Sequence, residues 1–359
     1  MTDIAAAKRE LDIALNCFTE ALGLVDPEKD PGYYGVILHD IADAHVAAGS
    51  MEEAISSYTD AMTYKLKRVP VHPGDLATTI EALADCLITC GELERARATL
   101  GKLRDILPQI AEPEERAIHL HGVGRAFERL ADEGLDDTSP DALAAYKEAA
   151  QLLDRDKDPG FYGVIMHDIG DIQLAGDNLT EAVAAYREAA TYKLKQTPPH
   201  PGDLTTTMLA LSDCLVETGE LAQARTILGQ IAEVLPQIED QAQRASRLHR
   251  LGAALQRLGS KGQADAYAEA LAAYQDALKL LDPAADAATY ATVLNDVGSI
   301  YKAQEKYNDA RDAYEQAVQH MRDTPNGKHH LVPMLIDLGR IRLQIISRKQ
   351  SLNNAGQDS

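Results

Sequence analysis

Residues 30–43 read DPGYYGVILHDIAD, and residues 158–171 read DPGFYGVIMHDIGD. A second stretch, VHPGDLATTIEALADCLITCGEL at 71–93, returns at 199–221 as PHPGDLTTTMLALSDCLVETGEL. Both pairs are offset by 128 residues, with no gap from Asp30 to Leu130 and roughly half the positions identical. A third copy keeps the register: ALAAYKEAAQLLD at 142–154 becomes ALAAYQDALKLLD at 270–282, and Asp168, Gly170, Ala182 and Tyr186 map onto Asp296, Gly298, Ala310 and Tyr314. Self-similarity at a fixed period is the mark of a repeat architecture, in which each unit buries its apolar face against its neighbours.

Each long module subdivides. Ala14, Ala54, Ala96, Ala142, Ala182, Ala224, Ala270 and Ala310 are each followed four residues later by Phe, Tyr or Leu, at intervals that cycle through 40, 42 and 46 residues. About one helix upstream lies a second small residue (Ala42, Ala84, Gly170, Ser212, Gly298) flanked by apolar neighbours at helical spacing, the pattern of a buried helical stripe. Gly49, Gly91 and Gly219 fall in the short connections, where a helix C-terminus calls for a left-handed residue. The expected fold is therefore all-α: about seven antiparallel helix pairs stacked in a solenoid, with a single helix at each end. One solenoid is expected over 1–347, in modules of about 13–140, 141–268 and 269–347. The polar segment RKQSLNNAGQDS at 348–359 lacks periodicity and is expected to be a disordered tail.

The residues Leu294, Val297, Gly298 and Tyr301, followed by Ala310, Tyr314 and Ala317, carry a resemblance to the tetratricopeptide repeat. Ile41, Ala42, Gly49, Ala54, Tyr58 and Ala61 repeat that pattern in the first copy. The long period and HPGDLATTIEALADCL resemble the roughly 42-residue subclass of kinesin light chains, and also bacterial regulators such as peptide-pheromone receptors. Two departures are the absence of the signature Trp and longer inter-helix loops near 131 and 258. The resemblance implies a right-handed superhelix whose concave face is lined by the first helix of each pair.

Composition narrows the partners. The formal net charge is −21, a field that repels phosphate backbones and anionic lipid, so neither nucleic acid nor a membrane is expected. No signal-peptide pattern opens the chain, no apolar run approaches a membrane span, and the four cysteines form no CxxC pair. A reduced, cytoplasmic protein is expected.

If the resemblance holds, the inward positions are His39, Asp40 and Asp43, then Glu81 and Asp85, then His121, Arg125 and Arg129. The second copy supplies His167, Asp168 and Asp171, then Leu209 and Asp213, then His249 and Arg257; the last full pair supplies Asn295, Asp296 and Ser299. His and Asp four apart share one helical face and invite a metal reading. Two ligands are too few, however, and the third copy replaces His39 and Asp43 with Asn295 and Ser299. No Ser or Cys nucleophile accompanies the pair, so neither catalysis, a cofactor nor a metal is expected. Cys86 and Cys214 are expected as small buried hydrophobes. In the repeated HPGD segments, Asp75 and Asp203 are expected to cap helices, and the YKLK runs at 64 and 192 to place cations at helix C-termini.

The leading expectation is a scaffold or adaptor that binds a peptide or partner segment, with basic segments favoured by the aspartates. Two alternatives stand beside it: a cytosolic peptide-signal receptor regulating a separate effector chain, and a metal-dependent enzyme resting on HDIxD alone.

Overall fold

The computed structural model describes residues 2–135, 138–197, 200–322, 324 and 327–355, with side chains over 8–350. Among the described residues there are sixteen α-helices and no strand. The chain divides into two compact units, Met1–Gly176 and Asp177–Ser359.

The first unit holds α1 (Thr2–Leu24), α2 (Pro31–Ala48), α3 (Met51–Lys67), α4 (Pro73–Thr89), α5 (Leu93–Ile106), α6 (Pro113–Asp132), α7 (Ser139–Leu152) and α8 (Pro159–Ala175). The second holds α9 (Leu179–Lys195), α10 (Pro201–Glu217), α11 (Leu221–Val234), α12 (Gln241–Ser260), α13 (Ala266–Leu280), α14 (Ala287–Ala303), α15 (Tyr307–Arg322) and α16 (Lys328–Ala355). Within each unit every helix packs on the next, and the first helices of successive pairs also touch, as α4 does α6 and α10 does α12. Connections this short leave adjacent helices no option but antiparallel packing. The unit boundary falls between α8 and α9, inside the second sequence module.

Small-to-large packing holds each pair together. Tyr146, Tyr186, Tyr274 and Tyr314 are buried at 0–1% exposure, and the alanines four residues before them are fully buried. A methyl group at Gly124, Gly252 or Gly298 would lie closer than 3.0 Å to the ring of Tyr146, Tyr274 or Tyr314. Glycine there lets the helices approach until the ring is enclosed on its face. The 46-residue intervals arise because α6 and α12 run 20 residues, against 17 for α4 and α10, and continue into turns before the second helix.

The helix ends follow local chemistry. The carboxylates of Asp30 and Asp158 accept from the backbone N–H of Tyr33 and Phe161, both at 3.1 Å, with Pro at the first helical position. Gly49, Gly91 and Gly219 are left-handed, as expected. Asp177 and Glu305, which stand 128 and 256 residues after Gly49, are left-handed too, with φ of 59° and 58°. Backbone geometry at this turn is thus inherited even where glycine is not.

Two expectations change. Asp75 and Asp203 are not caps: His72 and His200 occupy that place, and the aspartates lie in the first turn. Lys65 and Lys193 lie in the last turns of α3 and α9, as expected, and both are buried. Lys65 is 4% exposed, and its Nζ donates to Asp75 Oδ1 (2.6 Å) and Thr79 Oγ1 (2.8 Å) on α4; Lys193, 6% exposed, donates to Thr207 Oγ1 (2.9 Å). The ammonium of a buried lysine must find such acceptors. Finally, residues 348–355 continue α16 as helix instead of beginning a tail, and 356–359 lie outside the described residues. Met334 and Ile341 anchor that helix against α14 and α15, so its later turns extend an element already nucleated. Cys86 and Cys214 are buried, and burial pushes the Cys86 thiol up to about 11.

Candidate functional site

The first helices of the pairs carry the charged and imidazole side chains, and the structure joins many of them from one first helix to the next. In the first unit His39 Nδ1 lies 3.1 Å from Thr79 Oγ1 on α4, and its Nε2 is 3.7 Å from Asp43 on its own helix. Burial and the neighbouring Lys65 ammonium hold this imidazole below its ordinary pKa. Asp43 also accepts from the Tyr58 hydroxyl. Glu81 on α4 meets His119 Nδ1 on α6 at 3.0 Å, and that hydrogen bond raises the imidazole's pKa. Asp85 accepts from Arg129 at 2.5 Å. His121 on α6 reaches forward to Asp168 on α8 at 2.7 Å, while His167 lies 3.5 Å from Asp171.

The second unit repeats part of this lattice. Arg257 on α12 donates to Asp213 on α10, and His249 lies 2.7 Å from Asp296 on α14. Asn295 stands where the earlier copies have histidine, and its Oδ1 is buried without a hydrogen-bond partner. Ser299 meets the Tyr314 hydroxyl at 3.2 Å. The pair Glu81–His119 has no second copy, because Leu209 and Arg247 take those places.

The expected acidic patches are therefore largely compensated. Asp85 and Asp213 each hold an arginine, and Asp168 and Asp296 each hold a histidine. Asp40, in the same register as Asp168 and Asp296, differs. Among the described residues its carboxylate has no hydrogen-bond or ion-pair partner, and burial raises its pKa. Arg125 is exposed on α6 and lines a cleft of about 140 Å³ with Glu81, Asp85 and Arg129. In the second unit Arg257, Gln256, Tyr274 and Asp296 line a cleft of about 370 Å³. Such clefts present both hydrogen-bond donors and acceptors.

Sequence reasoning did not single out His119 or Glu128. Glu128 accepts from the buried Tyr146 hydroxyl, and burial raises its carboxyl above the ordinary range. The signal was present as partners 38 to 47 residues apart, about one helix pair: 81 with 119, 85 with 129 and 121 with 168. Among the described residues no group of three or more His, Cys, Asp or Glu side chains is placed to hold a metal ion. No described helix is long and apolar enough to cross a membrane.

The pattern of the tetratricopeptide repeat family matches residues 291–319, most of α14 and most of α15. No curated protein matches the chain by sequence. Several solved structures are similar to it. BtubC (BKLC) from P. vanneervenii is 18% identical, with 64% of this chain covering 89% of that one at a TM-score of 0.50. The signal transduction ATPase with a tetratricopeptide repeat sensor from Pyrococcus horikoshii is 14% identical, with 80% of this chain spanning 42% of the ATPase (TM-score 0.59). The C-terminal part of a tetratricopeptide repeat protein from Cytophaga hutchinsonii is 13% identical, with coverages of 81% and 98% (TM-score 0.52). At these identities the likeness is one of fold. Tetratricopeptide repeats in general mediate protein–protein interaction, and their fold is generally that of a non-catalytic scaffold. Residues 291–319 carry a tetratricopeptide-repeat pattern, and the stacked helix pairs of both units share the fold of the tetratricopeptide-repeat structures they resemble.

Proposed function

We propose that the chain is an interaction module whose first-helix faces bind an extended segment of a partner protein, and that Asp40 accepts a basic side chain of that segment. The observation that carries this reading is that Asp40 has no hydrogen-bond or ion-pair partner among the described residues. The same carboxylate in the later copies, Asp168 and Asp296, takes an imidazole at 2.7 Å from the preceding first helix. A histidine, lysine or arginine supplied in trans would complete the register, and relieving a carboxylate raised by burial adds to the binding energy. The compensated pairs Asp85–Arg129 and Asp213–Arg257 then serve as hydrogen-bonding walls more than as an acidic field.

A displayed library of random twelve-residue peptides selected on the full chain tests this. Selected peptides should be enriched in His, Lys or Arg, and Asp40→Asn should weaken them about tenfold while flattening their salt dependence. If the selected peptides are no more basic than the starting pool, or bind Asp40→Asn equally well, the reading fails.

A further inference from the structure

The second unit holds a cavity of about 540 Å³ walled by α11, the turn at 235–237, α12 and α13. It does not draw on the residues of the proposed peptide face. Six leucines line it (Leu228, Leu235, Leu248, Leu251, Leu255 and Leu280), and no aromatic residue does. The volume is that of a small-molecule site, which is typically about 300–1,000 Å³ and mostly apolar with a few placed polar groups.

The charged residues of the wall are not equivalent. Glu269 accepts from Arg225, and Asp276 accepts from Lys279 at 2.8 Å. Arg244 donates to the carbonyl of Ile238 at 3.3 Å, and no carboxylate among the described residues pairs with it. Of the charged residues in the wall, Arg244 is thus the one that no described side chain of opposite charge pairs.

The first unit shows what fills the equivalent place. Arg104 on α5 donates to Asp141 on α7 at 3.1 Å, and Phe127 is buried on α6. The counterparts 128 residues on are Ala232 and Leu255, both lining the cavity. At both positions the second unit has the smaller side chain, while the arginine at 116 has its counterpart in Arg244.

We infer that this cavity binds a straight-chain aliphatic carboxylate, with the chain among the leucines and the carboxylate on Arg244. A flexible chain of about ten carbons suits the volume and the absence of ring-stacking surfaces. Each buried methylene contributes favourably to transfer from water, and the charge-assisted pair with Arg244 selects the acid over the alcohol.

Isothermal titration of the full chain with decanoate and with decanol tests this. Decanoate should bind at one equivalent per chain, at least fivefold tighter than decanol. Arg244→Gln should abolish that preference, leaving decanol unchanged. Ala232→Arg with Leu255→Phe, the side chains found in the first unit, should weaken decanoate at least tenfold; Leu255→Phe alone should do so in part. Helix content by circular dichroism establishes that each variant is folded. The inference is overturned by any of three results: no saturable binding below about 1 mM, equal affinity for acid and alcohol, or unchanged binding in the folded double variant.

Discussion

The segment α4–α7 and its copy α10–α13 differ in a patterned way: the ring-on-glycine contact persists, while several polar pairs do not. In both, a tyrosine is enclosed against a glycine of the preceding helix, Tyr146 on Gly124 and Tyr274 on Gly252. In both, an arginine returns to an aspartate one pair earlier. Yet the tyrosine hydroxyl meets Glu128 in one copy and Gln256, at 3.0 Å, in the other. The Glu81–His119 pair gives way to Leu209 and Arg247, and Arg104 with Phe127 to Ala232 with Leu255. Half-exposed ion pairs contribute about 0–1 kcal/mol, so duplication can lose them cheaply. A closed ring-on-glycine contact tolerates little change.

The largest effect should come from removing the ring. Tyr146→Ala and Tyr274→Ala should each cost about 3–5 kcal/mol, read from urea unfolding. A difference of more than about 2 kcal/mol between them would show that the two copies do not share one packing logic.

Adding a methyl group tests the same contact from the other side. Gly124→Ala and Gly252→Ala should each destabilise by about 1–3 kcal/mol, since the ring must move to admit the new atom. The gain in helix propensity from alanine, up to about 1 kcal/mol, works against this. A net stabilisation in either copy would mean the ring is free to shift.

Glu128→Gln transplants the second copy's acceptor into the first. Burial raises the Glu128 carboxyl, so folding favours its neutral form. The wild type therefore loses stability as pH rises from the ordinary value of 4.5 through the raised folded value. The Gln variant should lack that decline and be the more stable of the two at pH 8. Melting curves from pH 4 to 8 that remain parallel would contradict it.

The smallest effect concerns the turn shared by three copies. Asp177→Gly and Glu305→Gly should each stabilise by about 0.5–1 kcal/mol, because glycine adopts the left-handed geometry without a Cβ penalty. Unchanged melting would show that the turn's strain is already offset by its surroundings.

Much of this fold was legible in sequence because its determinants are local and repeated. Alanine-to-tyrosine spacing, HPGD starts and the glycines at 49, 91 and 219 each report one helix or one turn. The site was legible as a face but not as a set of pairs. Asp85 and Asp213 read as acids open to a partner, and the arginines that hold them lie 44 residues on. Lys65 was legible as a helix-end cation but its burial was not, because that depends on Asp75 and Thr79, across a turn. His119 was hidden beside His121: adjacent odd positions look alike in sequence but project to different faces of α6, one back to Glu81 and one forward to Asp168. The end of α16 was misread because polar composition reports poorly on a helix nucleated by its earlier turns.

Lys65 and Lys193 carry one more consequence. Each amine is enclosed between a second helix and the first helix that follows it, so a water-borne acylating reagent cannot reach it while the two remain together. Exposed lysines such as Lys157 and Lys279 should be modified at the reagent's own pace. Lys65 and Lys193 should be modified only during excursions in which their helix parts from the next. Mass-resolved labelling would then turn the two residues into matched clocks, one in each unit, timing how often the stack breathes at two points of the same ancestral sequence.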